Sequence, residues 1–277
     1  MAEASGRGGA RAPAADGALT TPYQRTVRVN GAPCRVWEAG QGEPLGFLAG
    51  LGGLGRWTGF LDRLAARRRL VVPSLPGFPG GLGHEQLDDL ADWVTATLDL
   101  LEAAGLRGAD VAGASCGATL LAEAAAFSPG LARRLALVAP LGLFEEAEPV
   151  EDVWAQRPEQ IPALLCARPE ALVAELTPPA GVEAIEWQIE QVRASEAAAR
   201  LLWPTLDLGL RKRLHRIAVP TLLVWGSADR VVPASYAKRF AGGIAGPNEI
   251  RILEGAGHRV DLDAPEALAD ALLDFLD

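Results

Sequence analysis

Residues 113–117 read Gly-Ala-Ser-Cys-Gly. A serine with a glycine two residues to either side, between an apolar run and a helical pattern, suits a nucleophile on a sharp strand-to-helix turn. The glycines remove side chains where strand and helix converge. A serine hydroxyl is a poor nucleophile without a base. The chain has three histidines, His84, His215 and His258. His258 ends the stretch Glu-Gly-Ala-Gly-His after the last apolar run, where a glycine-rich loop holds side chains at a sheet edge. His215 lies in Arg-Lys-Arg-Leu-His-Arg, a pattern typical of a solvated basic segment. His84 opens a helical pattern and could reach a cleft, although such positions are more often on the surface. The base in turn requires an orienting acid. Asp229, in Trp-Gly-Ser-Ala-Asp-Arg-Val-Val-Pro at 225–233, follows another apolar run; its plain alternatives are a helix cap or a pair with Arg230. The order Ser115, Asp229, His258, each after its own run, is far more specific than any one member.

Acyl chemistry also needs two backbone N–H groups aimed at the developing oxyanion. One is expected from Cys116, the residue after the nucleophile. The other is expected from Leu51, in Leu-Ala-Gly-Leu-Gly-Gly-Leu-Gly at 48–55. Gly50, Gly52 and Gly55 also spell G-x-G-x-x-G, a dinucleotide-binding pattern, but the next apolar run ends Leu-Val-Val-Pro-Ser-Leu with no acid for a ribose. Cys116 adjoins the candidate nucleophile. Adjacent positions cannot both project to the tip of the turn, so the thiol is expected in the core or the pocket wall.

These residues need elements to position them. Short apolar runs at 24–29, 33–37, 46–49, 70–73, 110–113, 135–138, 221–225 and 249–253 read as strands. The first two flank Asn30-Gly31, a hairpin signal. Helical patterns at 58–68, 85–104, 116–127, 233–243 and 264–276 alternate with them, which predicts an α/β class with a mostly parallel sheet and helices on both faces. From 141 to about 210 there are helical signals, the longest at 183–200, broken by prolines, and no convincing strand. Seventy structureless residues would be implausible, so this stretch is expected to be a helical cap inserted in the core made of 23–140 and 211–277. Residues 1–22 are small, polar and rich in Gly and Ala; they lack the apolar stretch of a secretory signal and are expected to be a disordered tail on a cytoplasmic protein.

Composition excludes several classes. Of 277 residues, 49% are hydrophobic and 22% charged, a globular balance. The formal charge of −9 argues against a nucleic-acid partner. No apolar run approaches the ~18 residues of a membrane span, so no membrane association is expected. Cys34, Cys116 and Cys166 have no CxxC spacing, which argues against disulfides and a zinc site. No metal is expected.

The glycine loop with Trp57, Pro-Ser-Leu-Pro-Gly-Phe at 73–78, the turn around Ser115, Pro-Thr-Leu-Leu-Val-Trp-Gly-Ser-Ala-Asp-Arg-Val-Val-Pro at 220–233, and Gly-Ala-Gly-His together resemble the α/β-hydrolase family. The resemblance runs from about residue 23 to the end. It implies an eight-stranded sheet with the second strand antiparallel, a helical cap, a Ser115-His258-Asp229 triad and no cofactor. The family often has His-Gly where this chain has Ala49-Gly50. The oxyanion donors are backbone groups, so Ala49 leaves them in place but removes a polar side chain from the loop.

The function expected is cleavage of carboxylic esters of small to medium apolar substrates through an acyl-enzyme. Trp154, Trp187 and Trp203 of the cap are candidate pocket residues, since amphipathic helices over a site turn an apolar face to it. The alternative is hydrolysis of a carbon–carbon bond in a vinylogous diketone. The Ala-Ala-Arg-Leu-Leu-Trp and Arg-Leu-His-Arg-Ile stretches are similar to that ring-cleavage-product branch, although that branch tends to place Trp where this chain has Arg259. A non-hydrolytic member such as a lyase is a third reading. The partner expected is a small-molecule substrate, with homo-oligomer formation left open.

The charge is unevenly placed. Residues 141–210 hold 13 Asp and Glu and four Arg, so the whole −9 excess falls there and the rest is balanced. A solvated outer face accounts for this. An entrance that disfavours anionic substrates is the functional alternative.

Overall fold

In a computed structural model of the chain, residues 19–204 and 207–277 are described. The expected tail at 1–22 lies outside the described residues, except 19–22. There the Thr20 N–H donates to the Asp62 carboxylate.

Eight strands form one sheet. β1 (Tyr23–Val29) and β2 (Ala32–Ala39) form a hairpin whose turn residues Asn30 and Gly31 both have positive φ, as a two-residue turn matching strand twist requires. β3 (Pro44–Leu48), α1 (Gly59–Ala65), β4 (Arg69–Pro73), α2 (Leu90–Ala103), β5 (Ala109–Ala114), α3 (Ser115–Phe127) and β6 (Ala132–Val138) follow. α4 (Ile161–Leu165), α5 (Pro169–Leu176) and α6 (Ala184–Leu202) come next, then β7 (Thr221–Gly226), α7 (Tyr236–Gly243), β8 (Asn248–Leu253), α8 (Val260–Asp263) and α9 (Pro265–Leu276). The strand order is β1-β2-β4-β3-β5-β6-β7-β8. β2 is antiparallel to both its neighbours, and every other pairing is parallel. This is the sheet the resemblance implies.

The inner strands β3 to β7 are largely apolar on both faces because helices cover both, while the edge strands β1 and β8 are mostly exposed. Period-two alternation sorts their side chains into two cores. Val71, Val111, Leu135, Leu137, Leu223 and Trp225 face α2, α3 and α7. Leu70, Val72, Ala112, Ala136, Val138, Leu222 and Val224 face α1 and α9. One charge is buried at the start of β5. The Asp110 carboxylate accepts from Arg68 Nη2 at 2.6 Å and from Arg133 Nε and Nη2 at 2.9 and 2.7 Å.

The helical pattern at 85–104 divides in two. His84–Gln86 form a 3-10 turn, Leu87 is extended, and α2 starts only after Asp89. Asp89 and Asp92 build a reciprocal capping box, which satisfies the first N–H groups of α2 and sets its start. Between β6 and β7 the described residues contain helices, 3-10 turns and one isolated bridge, Gly142 to Asp207, but no strand. No helix among the described residues is long and apolar enough to cross a membrane.

Candidate active site

The glycine loop, Ser115, Asp229 and His258 all follow parallel strands: β3, β5, β7 and β8. They therefore meet beyond the carboxyl ends of those strands, where open α/β sheets bind ligands.

Ser115 takes φ 48, in the left-handed region, a strained conformation for a residue with a Cβ. The neighbouring glycines make room for it. A Cβ on Gly113 would lie 2.8 Å from Leu121 and 2.9 Å from the Ala118 nitrogen, and one on Gly117 would lie 2.5 Å from the Ala49 carbonyl oxygen. The elbow is also tied to the segment that follows β6. Thr119 Oγ1 donates to the Ser115 carbonyl at 3.0 Å and accepts from the Leu141 N–H at 2.8 Å.

The three expected side chains are in line. Ser115 Oγ lies 2.7 Å from His258 Nε2, and His258 Nδ1 lies 2.9 Å from Asp229 Oδ2. The His258 and Asp229 side chains are fully buried. An ionised carboxylate only accepts, so Nδ1 carries the proton toward Asp229. Nε2 is left to accept from the serine hydroxyl. Asp229 Oδ1 accepts from the Val231 and Val232 N–H groups at 2.8 and 2.9 Å. The β7 and β8 loops are stitched together by Ala228 N–H to the Ala256 carbonyl at 2.9 Å and Gly255 N–H to Ser227 Oγ at 2.8 Å.

The His258 loop is also latched to the turn between α4 and α5. The Arg259 N–H donates to the Leu165 carbonyl at 2.8 Å. The Asp263 carboxylate accepts from the N–H groups of Gly257, Ala167 and Arg168, at 2.8, 2.8 and 2.9 Å. No motif signals Asp263 in the sequence.

Cys116 is the second residue of α3, in the first turn, where backbone N–H groups have no partner within the helix. The glycine loop that carries Leu51 approaches the elbow, since a Cβ on Gly50 would come within 2.9 Å of Ser115 Cβ. Burial pushes the Cys116 thiol up to about 12, so it stays protonated and is a poor nucleophile. His84 is buried elsewhere. It packs beside Gly77 and Ala197, with Glu85 and Glu196 at 3.5 and 3.6 Å from its ring nitrogens. The expected surface position is therefore corrected. His215 is exposed. Among the described residues, no group of three or more His, Cys, Asp or Glu could hold a metal ion.

A cavity of about 340 Å³ lies between the glycine loop and α4–α6. Leu51, Val153, Trp154, Ile161, Leu165 and Leu172 form much of its apolar wall, with Glu175, Gln191, Ser195 and Arg259 as polar members. Of the three candidate tryptophans, only Trp154 lines it. Trp187 is buried against Gly55, with its indole N–H donating to the Leu176 carbonyl at 2.7 Å; it packs the helices onto the glycine loop. Trp203 is 57% exposed and outside the lining. It is the C-cap residue of α6. Arg259 and Glu175 were not legible as pocket residues, because nothing local in the sequence brings the end of α5 to the His258 loop.

Comparison with known proteins agrees with this architecture. The Alpha/beta hydrolase family matches residues 47–271. The chain is 31% identical over 270 residues to the dihydrolipoyllysine-residue acetyltransferase component of an acetoin cleaving system from Pseudomonas putida, covering 92% of this chain and 70% of the relative. It is 25% identical over 269 residues to a 2-hydroxy-6-oxo-2,4-heptadienoate hydrolase of the same species, covering 91% and 95%. Among solved structures, 2-hydroxy-6-oxo-6-phenylhexa-2,4-dienoate hydrolase from Rhodococcus sp. strain RHA1 superposes with a TM-score of 0.74 at 18% identity, over 92% of this chain and 98% of that one. An esterase from Rhodococcus sp. gives 0.69 at 19% identity, over 93% and 98%.

Proposed function

The chain belongs to the alpha/beta hydrolase family, and from that premise we propose that it cleaves carboxylic esters of small to medium apolar substrates through an acyl-enzyme. The observation that carries this reading is the 2.7 Å contact between Ser115 Oγ and His258 Nε2, with Asp229 behind the ring.

Ser115 Oγ attacks the ester carbonyl carbon while His258 Nε2 takes its proton. The carbonyl π electrons move to oxygen, and the Leu51 and Cys116 N–H groups receive that charge. Collapse of the adduct expels the alkoxide, which takes the proton from His258 and leaves as the alcohol. A water then adds to the acyl group, giving its proton to His258, and the second collapse returns that proton to Ser115 and releases the acid. Asp229 stabilises the imidazolium in both halves. Residues 141–210 act as the cap. Their apolar wall and the cavity of about 340 Å³ suit a small to medium apolar group.

Turnover of p-nitrophenyl esters tests the reading. Wild-type protein should release nitrophenolate, and Ser115→Ala should fold and lose turnover. Undiminished release by Ser115→Ala would overturn the assignment.

The full-length similarity to a heptadienoate hydrolase favours a second reading, cleavage of a carbon–carbon bond in a vinylogous diketone. A coloured ring-fission dienoate separates the two. Loss of its colour with the wild-type protein, faster than any ester is cleaved, selects the second reading.

A further inference from the structure

The cavity contains two opposite charges that do not pair with each other. Arg259 and Glu175 both line it, and no hydrogen bond or ion pair among the described residues joins them. Arg259 spends Nε and Nη2 on the Asp261 carboxylate, at 2.9 and 2.8 Å, and Nη1 on the Leu51 carbonyl, at 3.3 Å. A guanidinium has five N–H groups, so two are left over. The Glu175 side chain is only 14% exposed, and its nearest cation, Arg56 Nε, stands 3.6 Å away. That is beyond hydrogen-bond length, and Arg56 Nε is itself buried with no acceptor. The Glu175 carboxylate therefore keeps lone pairs free toward the cavity.

Glu175 is held there firmly. Arg56 Nη2 donates to the carbonyls of Glu175 and Thr177, the former at 2.8 Å, and the Trp187 indole closes on the Leu176 carbonyl at 2.7 Å. Burial pushes the Glu175 carboxyl above the ordinary glutamate range, against the pull of Arg259 and Arg56. Burial works the other way on Arg259, but Asp261 and Glu175 outweigh it and keep the guanidinium charged.

We propose that Arg259 and Glu175 form a subsite for a hydroxyl group on the substrate, close to the bond that is cleaved. Three guest chemistries fit less well. A carboxylate that reached Arg259 would face Glu175, and an ammonium on Glu175 would face Arg259. A purely apolar group would leave the two spare Arg259 N–H groups and the Glu175 lone pairs desolvated without a hydrogen-bond partner, which is costly. A hydroxyl accepts from the guanidinium and donates to the carboxylate, so it satisfies both at once. The Arg259 contact with the Leu51 carbonyl places the subsite beside the loop assigned to the oxyanion. This inference rests on the ester-hydrolase reading and narrows its substrate class to neutral hydroxylated esters, with the hydroxyl on either the acyl or the alcohol part.

The test compares ethyl butanoate, ethyl 3-hydroxybutanoate and 2-hydroxyethyl butanoate by pH-stat. One hydroxylated ester should exceed ethyl butanoate in kcat/KM by about tenfold or more, the scale of a hydrogen bond to a charged group. Preference for the second ester puts the hydroxyl on the acyl part, and preference for the third puts it on the alcohol. Glu175→Leu should bring that ratio to near one, and Glu175→Gln, which keeps the shape and an acceptor, to an intermediate value. Turnover of all three without preference, or an unchanged ratio in both variants, overturns the subsite alone. Absence of turnover on every ester overturns the ester-hydrolase reading and the subsite with it.

Discussion

Asp229 divides its carboxylate between two tasks. Oδ2 faces His258 Nδ1 at 2.9 Å, while Oδ1 is held by the Val231 and Val232 N–H groups. The acid cannot rotate away from the imidazole without breaking its own loop. Asp229→Asn would preserve the shape but offer an N–H to Nδ1, favouring the wrong tautomer. A fall in kcat of about 10³–10⁴-fold is expected, with Tm little changed. A loss under tenfold would deny Asp229 its orienting role.

Asp263 governs how the α4–α5 turn sits on the His258 loop. Its carboxylate serves three backbone N–H groups, two in that turn and one at Gly257. Asp263→Ala leaves all three unsatisfied and should lower stability by about 2–3 kcal/mol. Limited proteolysis should then cut faster within 161–176 than in the core. Equal cutting of Asp263→Ala and the wild-type protein would show that the latch holds nothing.

Asp110 gives the chain an acid-sensitive point. Burial acts to raise its carboxyl, but Arg133 and Arg68 outweigh burial and hold it below the ordinary aspartate range. Folding thus favours the ionised form. That stability is fully present above the unfolded aspartate value near ~3.9 and is lost as pH falls through the lower folded value. Asp110→Asn should cost about 3 kcal/mol at neutral pH, and its deficit relative to wild type should shrink in acid. A deficit independent of pH down to 2 would contradict the ion-pair account.

The three cysteines are free and buried. Burial raises their thiols, to about 11 for Cys34 and about 12 for Cys116 and Cys166. A thiol reagent at pH 8 should titrate none of them in the native protein and all three in denaturant. Rapid native modification of Cys116 would reopen its candidacy as nucleophile.

What could be read from the chain followed local physics. The eight apolar runs became the eight strands with ends within a few residues, because short apolar runs and turn residues are local signals. Ser115, Asp229 and His258 were legible because each lies directly after a strand, and parallel strands deliver their loops to one edge. The helical pattern at 85–104 misled because a capping box at Asp89 overrides periodicity across Leu87. The tryptophans misled for a different reason. Residue type says that Trp154, Trp187 and Trp203 prefer burial, but not which face of a helix or turn meets the cavity. Glu175 and Arg259 reach the same cavity only through the tertiary fold, and each alone reads as a surface charge.

The central claim is that Ser115 is a nucleophile activated by His258. Labelling of the folded wild-type protein with a fluorophosphonate probe, followed by peptide mass spectrometry, tests it most directly. The adduct should form on Ser115 alone and be absent from Ser115→Ala, with labelling of His258→Ala slowed by orders of magnitude. A folded wild-type protein that takes no label, or takes it on another residue, would contradict the account.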